Sequence, residues 1–98
     1  MIKVIISRDK IEILGHAMYD DFGKDIVCAG VSSIVTTTIN GILTFDKDLI
    51  KYESLKDKFI ITINTHNEIV DNLINNMINM LNQIEEDYPK NLKIRKEN

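Results

Sequence analysis

The sequence predicts a small α+β sandwich in which an antiparallel sheet packs against two helices, in the order ββαββα with a possible extra C-terminal strand. Length supports one domain, because 98 residues split between two cores would give units that usually need disulfides or metals to fold. The composition, 44% hydrophobic and 28% charged, is that of a globular domain rather than a disordered chain. Short β-branched runs alternate with two longer segments of helical periodicity, which indicates mixed secondary structure.

A β-hairpin followed by a loop is predicted at the beginning of the chain. Residues 2–7 and 11–14 are rich in β-branched residues, and Arg8-Asp9-Lys10 separates them as a polar turn. Residues 15–24 have no sustained period and carry a glycine near each end, which is typical of a loop.

A largely buried helix is predicted from Asp25 to about Leu43. Asp25 is a natural N-cap, because its carboxylate can accept a hydrogen bond from the backbone N–H of Val27 or Cys28. The apolar positions recur at intervals of three and four residues. They are Ile26, Val27, Ala29, Gly30, Ile34, Val35, Ile39, Ile42 and Leu43.

A second antiparallel pair and a final strand are predicted in the second half. Residues 49–54 and 59–65 have strand character, and residues 55–58 connect them. Leu92 and Ile94 alternate with basic residues, which favours a short strand at a sheet edge.

A second helix is predicted between these strands, from near Asn67 to about Asp87. Asn67 can cap the helix, and Pro89 prevents its continuation. The predicted apolar face consists of Ile69, Leu73, Met77, Met80, Leu81 and Ile84.

The charge balance argues against direct nucleic-acid binding. The formal net charge is −3, which supplies no global field for phosphates and suits a basic partner better. No stretch reaches the roughly 18 apolar residues of a membrane span, and residues 1–7 are too short for a secretory segment. We therefore expect neither membrane insertion nor export.

The cysteine and histidine content argues against a disulfide or a metal centre. One cysteine cannot form an intramolecular disulfide, and two histidines with one thiol are a poor set of zinc ligands. We expect a reducing cytosolic compartment and no cofactor.

The single thiol lies at a position that favours its anion. Cys28 is the third residue after the predicted Asp25 cap, where unpaired amides and the helix dipole stabilise a thiolate. His16 follows the second predicted strand, and the loop after it is long enough to fold back onto the helix start. Cys28 could then attack a carbonyl, His16 could take and return the proton, and the backbone amides of Cys28 and Ala29 could receive the oxyanion.

The third member of such a site stays open at this point. Asp20, Asp21 and Asp25 could each orient the imidazole of His16, and the sequence does not rank them. An inert Cys28 is also possible, because free cysteines are among the most commonly buried residues. A thiol redox sensor would need an intermolecular partner, since the chain has no second cysteine.

The neighbourhood of both residues resembles the signature of the ribosomal-processing cysteine protease family, Prp. The residues that carry the resemblance are Gly15-His16-Ala17, then Tyr19, and then the run Gly-Lys-Asp-Ile-Val-Cys-Ala-Gly-Val-Ser at positions 23–32. The resemblance covers almost the whole chain, so residues 1–98 are expected to form one cysteine-protease-like domain. Gly30 departs from the family, which more often has alanine there.

The resemblance implies a cytoplasmic, homodimeric endopeptidase that removes a short N-terminal extension from a basic protein of the large ribosomal subunit. Cys28 matches the nucleophile and His16 its base, while Asp25 matches the acidic residue before the cysteine and would cap or support the site. Ser32 matches the serine of the motif and is expected to pack or hydrogen-bond within the helix. The alternative is a non-catalytic ribosome-associated binding module whose Cys28 is inert.

The resemblance also implies an apolar subsite, because the family cuts after an aromatic residue. We expect substrate contacts from the loop, with Met18, Tyr19 and Phe22 either lining that subsite or anchoring the loop to the core, and Gly23 acting as a hinge. The full set of expected loop residues is Gly15, Met18, Tyr19, Asp20, Asp21, Phe22 and Gly23.

Three further features have simpler interpretations. His66 is expected to have a surface or capping role. The basic residues of the C-terminal segment are expected to form the solvated face of a strand, with RNA contact as the minor interpretation. Met77 and Met80 belong to the apolar face of the second helix and could extend into a dimer contact.

Overall fold

The structure is a computed structural model that describes residues 1–15 and 26–97. Eight of the residues singled out above lie outside these ranges: His16, Met18, Tyr19, Asp20, Asp21, Phe22, Gly23 and Asp25. The elements follow the predicted order ββαββα with a fifth strand at the end. Their bounds are β1 Ile2–Ile6, β2 Lys10–Leu14, α1 Ile26–Phe45, β3 Ile50–Ser54, β4 Lys58–Ile63, α2 Glu68–Asp87 and β5 Leu92–Lys96.

The five strands form one sheet in the order β3-β4-β2-β1-β5. β1 pairs antiparallel with β2, β2 with β4, and β4 with β3, while β5 runs parallel to β1 at the sheet edge. The prediction of an edge strand is confirmed, but the prediction of an antiparallel sheet is wrong for this pairing. The physical reason is the crossover through α2, which returns the chain so that β5 runs in the same direction as β4.

One face of the sheet is buried against both helices. Side chains alternate along each strand, so that Val4, Ile11, Ile13 and Ile61 are almost fully buried while Lys3 on β1 is exposed. These strand residues join buried residues of α1 and α2 in a single hydrophobic core. Neither α1 nor α2 covers the opposite face of the sheet, which is called the outer face below.

The two helices reach the core in different ways. α1 has no charged residue and buries Val27, Cys28, Val31, Val35, Ile39 and Ile42. α2 is amphipathic and buries Val70, Ile74, Met77 and Leu81. The predicted face of α2 is therefore partly wrong, since Ile69 and Met80 are exposed by 37% and 41%. Met77 is 0% exposed, so it belongs to the core and is not available for a dimer contact.

Both helix predictions agree with the observed ends where the structure describes them. The side chain of Asn67 accepts a hydrogen bond from the Val70 amide at 2.8 Å, as expected of a cap. α1 is already helical at Ile26, and its capping residue lies outside the described ranges. By length and composition alone α1 could cross a membrane, a property that it shares with buried core helices.

The helices pack antiparallel, so the start of α1 and the last turns of α2 lie at the same end of the molecule. A Cβ added at Gly30, near the start of α1, would lie 3.3 Å from Cδ1 of Ile84, in the last turns of α2. The amide of Ile2 donates to the Asn91 carbonyl at 2.9 Å, so the start of β1 lies at this end as well. The Ile63 amide donates to the Asp9 carbonyl at 2.8 Å at the opposite end of the sheet.

Candidate active site

Cys28 lies in the first turn of α1, on the side of the helix that faces the core. Its side chain belongs to the hydrophobic core and is 6% exposed, and it forms no disulfide. The flanking Val27 is equally buried, whereas the following Ala29 is exposed. The nucleophile candidate is therefore held by packing against the core, and Ala29 leaves the outer side of the turn open.

The start of α1 has the electrostatics of an anion site. The first amides of a helix have no intrahelical acceptor, and the dipole makes this end positive. No acidic residue of α1 lies in its first turn, so the helix itself does not neutralise this end. Because α1 begins at Ile26, the Cys28 amide is the last one without an intrahelical acceptor. The Ala29 amide would normally pair with the carbonyl of residue 25, which lies outside the described ranges.

Gly15 fixes the point from which the loop leaves the sheet. Its φ is +92°, a conformation that L side chains rarely adopt, and an added Cβ would clash with the Met1 carbonyl oxygen. Its amide donates to the Asp57 carbonyl at 3.2 Å. Glycine is thus required here by backbone geometry, and Gly15 lies at the same end of the sheet as the start of β1.

His66 belongs to a different cluster at the opposite end of the fold. Its Nε2 lies 2.7 Å from an Asp9 carboxylate oxygen, and its Nδ1 lies 3.2 Å from one of Asp71. These two hydrogen bonds raise the pKa of His66 above its usual value, and the one with Asp9 has the larger effect. Since Ile84 packs near Gly30, about 25 Å of α2 separates His66 from the start of α1. The prediction of a surface role for His66 is confirmed.

The structure thus describes only part of the predicted site. Gly15, Cys28, Ala29 and Ser32 lie within the described ranges, and the start of α1 and Gly15 lie at the same end of the molecule. Within residues 1–15 and 26–97, no group of three or more His, Cys, Asp and Glu side chains could hold a metal ion. Sequence reasoning missed the contacts of His66, because Asp9 and His66 are 57 positions apart and no local pattern links them.

A thiol at the start of a buried helix favours a thiolate, which is the nucleophile that defines a cysteine peptidase. A sequence model of the family described as "Cysteine protease Prp" matches residues 1–93. The chain belongs to this family and is a cysteine protease. The earlier interpretation as a non-catalytic binding module is thereby disfavoured.

Curated relatives and solved structures agree with this assignment. The ribosomal processing cysteine protease Prp of Staphylococcus aureus is 34% identical over 83 residues, which cover 82% of this chain and 78% of the relative. The protein of the same name from Bacillus subtilis is 31% identical and covers 90% and 88%. A crystal structure of the S. aureus ribosomal processing protease Prp with a covalently linked product peptide has a TM-score of 0.86, at 26% identity over 99% of this chain and 100% of that one. A second structure of that protease, with a substrate peptide, has a TM-score of 0.84 at 25% identity, with the same coverage.

Proposed function

We propose that this chain is the endopeptidase that removes a short N-terminal extension from a basic protein of the large ribosomal subunit, with Cys28 as nucleophile and His16 as general base. The observation that carries the assignment of Cys28 is the cysteine count. A cysteine protease requires a thiol, and the sequence contains one cysteine. Its place in the first turn of α1 supports the same role, because a helix N-terminus stabilises a thiolate.

The chemistry follows from these two groups. His16 takes the proton of Cys28, and the thiolate sulfur attacks the carbonyl carbon of the scissile bond. The carbonyl oxygen becomes an oxyanion that the Cys28 amide, and in our prediction the Ala29 amide, can stabilise. His16 then protonates the leaving amine, which is the new N-terminus of the mature protein. The extension remains as a thioester on Cys28 until water hydrolyses it. The covalently linked product peptide of the S. aureus protease is consistent with a step of this kind.

The second histidine supports His16 as the base by elimination. The chain has two histidines. Both ring nitrogens of His66 are engaged by carboxylates of Asp9 and Asp71, at the end of the molecule opposite Cys28. Asp20, Asp21 and Asp25 remain candidates to orient the base, and Asp25 the candidate cap.

The expected substrate suits the charge of the helix layer. α1 and α2 contain no Lys or Arg, and α2 contributes five acidic residues. A basic precursor would be attracted to this layer. Met18, Tyr19 and Phe22 remain the candidates for the apolar subsite, and Gly23 for the hinge of the loop. A cytoplasmic location and a homodimer complete the proposal, with the exposed Met80 still available for a dimer contact.

The test is a screen of synthetic peptides that match the N-termini of the organism's ribosomal proteins, with products identified by mass spectrometry. We expect wild type to cleave one extended large-subunit N-terminus and Cys28→Ala to leave every peptide intact. The matched control is His66→Gln, which removes the other histidine and should cleave as wild type does. Equal cleavage by wild type and Cys28→Ala would overturn the assignment of Cys28, and cleavage of no ribosomal peptide by wild type would overturn the substrate.

A further inference from the structure

The charges of this acidic chain are separated between its two layers. α2 contains five acidic residues, α1 has no charged residue, and neither helix contains Lys or Arg. The outer face of the sheet is the reverse, because among the strand residues six that point outward are basic and two, Glu12 and Glu53, are acidic. These six are Lys3, Lys10, Lys51, Lys58, Lys93 and Arg95.

The strand register lines up three of these cations in one row. Lys58 pairs with Leu14, Leu14 with Lys3, and Lys3 with Lys93. Paired residues point to the same face, so the row crosses four adjacent strands over about 14 Å. The row lies at the Gly15 end of the sheet, which is the end where α1 begins.

A shallow apolar hollow lies beside this row. It has a volume of about 350 Å³ and is lined by Lys3, Val4, Ile5, Leu14, Lys93 and Arg95. The side chains of Ile5 and Leu14 form its floor, and three cations form its rim. Exposed cations around a partly apolar floor favour an anionic partner, because the floor is easily desolvated and the rim provides charge.

Only part of this positive charge is neutralised within the described ranges. Glu12 binds Lys58 at 2.8 Å and Lys10 at 3.7 Å, and Arg95 binds Glu97 at 2.8 Å. Lys3 and Lys93 form no ion pair there, although they are direct neighbours on β1 and β5. Like charges at directly opposed positions destabilise a strand pair, and an anion bound between them would remove that repulsion.

We propose that the outer face binds the phosphate backbone of RNA through Lys3 and Lys93, with Lys58 and Arg95 beside them. A phosphate backbone fits a row of cations because its charges are regularly spaced. Binding it requires no hydrogen bonds from the backbone amides of the sheet. An acidic peptide fits less well, because the amides of β1 and β2 are already used in the sheet. The outer-face strand residues include no aromatic side chain, so binding should be independent of sequence.

The choice of RNA as the polyanion rests on the proposed function. A ribosomal protein assembles with RNA, so an RNA contact on the outer face would hold the enzyme near its proposed substrate. The net charge of −3 argued against nucleic acid only as long as the charges were taken to be mixed. Their separation between the sheet and the helices removes that argument.

The test measures binding of a fluorescein-labelled single-stranded oligouridine of about 12 nucleotides by anisotropy, as a function of KCl concentration. The variant Lys3→Gln/Lys93→Gln should bind at least roughly tenfold more weakly at low salt. The slope of log Kd against log salt should fall by about 1.4, since each lost contact with a single strand removes about 0.7. The matched control is Arg8→Gln/Lys47→Gln, which removes the same charge at the opposite end of the sheet and should bind as wild type does.

Two further arms separate this proposal from the proposed function. Cys28→Ala should bind the RNA as wild type does, and Lys3→Gln/Lys93→Gln should cleave a free substrate peptide at the wild-type rate. A labelled polyglutamate peptide should bind much more weakly than the RNA. The proposal is overturned if wild type does not bind the RNA at low salt, if both double variants lose affinity equally, or if polyglutamate binds as tightly.

Discussion

At the scale of single residues, Cys28 combines two properties that usually occur apart. Its side chain is packed in the core with 6% exposure, yet its backbone lies in the first turn of a helix, where the helix dipole favours an anion. Burial in apolar surroundings raises a thiol pKa, whereas a helix N-terminus and a cationic neighbour lower it. The proposed partner His16 is therefore central, because an imidazolium beside the sulfur favours the thiolate over the neutral thiol.

Gly30, two positions after the nucleophile, allows a prediction about stability. Replacing it with alanine should favour the helix by about 0.5–1 kcal/mol, because glycine loses more backbone entropy on folding. The added Cβ would lie 3.3 Å from Cδ1 of Ile84, the mobile end of a side chain that can move by a few tenths of an ångström. We therefore expect Gly30→Ala to raise the unfolding midpoint by roughly 2–8 °C, measured by circular dichroism.

Gly41 provides the matched control for this substitution. It lies in the same helix, and nothing stands within 4 Å of an added Cβ. Gly41→Ala should give the full gain of about 1 kcal/mol, and its difference from Gly30→Ala measures the crowding against Ile84. A lower midpoint for Gly30→Ala than for wild type would show that Ile84 cannot move.

The sequence led to the proposed reactive residues but not to the geometry around them. Cys28 could be predicted because one thiol followed a capping residue at the start of a clear helical period. The positive φ of Gly15 could not, since it depends on the approach of the Met1 carbonyl, which lies just before β1. The core-facing direction of Cys28 depends likewise on how α1 packs, which three- and four-residue spacing leaves open between neighbouring helix faces.

At the scale of elements, His66 ties the first hairpin turn to the start of α2. Asp9 belongs to the β1–β2 turn and Asp71 to the first turn of α2, and His66 lies between them with hydrogen bonds to both. When the imidazole is protonated, both of its N–H groups donate to carboxylates. Protonation therefore strengthens a contact between two elements that are distant in the sequence.

This contact predicts a pH dependence of stability. The pKa of His66 is raised in the folded protein, so the folded state holds the proton more tightly than the unfolded chain does. The stabilisation is therefore fully present below the unfolded pKa of about 6.5 and is lost as the pH rises through the higher folded pKa. We expect the unfolding midpoint of wild type to exceed that of His66→Gln by more at about pH 6 than at about pH 8.5.

Asp9→Asn provides the control for this experiment. It removes the carboxylate whose hydrogen bond contributes most to the raised pKa of His66, and asparagine keeps the shape of the Asp9 side chain. Its midpoint relative to wild type should follow the same trend with pH as that of His66→Gln. A constant difference between wild type and His66→Gln at both pH values would show that His66 does not contribute through its charge.

The elements themselves were more predictable than their arrangement. Periodicity located all five strands and both helices, and Asn67 was recognised as a cap from its side chain alone. The parallel pairing of β5 with β1 was missed because it depends on where α2 returns the chain, not on the composition of β5. The Ile94 amide also donates to the Glu85 carboxylate at 2.9 Å, a contact between α2 and β5 that alternation along a strand cannot reveal.

At the scale of the whole molecule, the two layers and the two ends have different roles. The helix layer is free of Lys and Arg and suits a basic substrate, whereas the outer face of the sheet is basic and is proposed to contact RNA. The end with Gly15 and the start of α1 carries the proposed catalytic site, and the opposite end carries the His66 cluster. Net charge, which averages over both layers, could not predict this division.

The catalytic efficiency towards one extended ribosomal-protein N-terminus tests the central claim most directly. We would measure kcat/KM for wild type, Cys28→Ala, His16→Ala and His66→Gln, and confirm by circular dichroism that each variant is folded. Loss of a nucleophile or its base should lower kcat/KM by at least about a thousandfold, and His66→Gln should stay within about twofold of wild type. Cleavage by Cys28→Ala within about tenfold of wild type, or a loss of activity in His66→Gln as large as that in His16→Ala, would contradict the account.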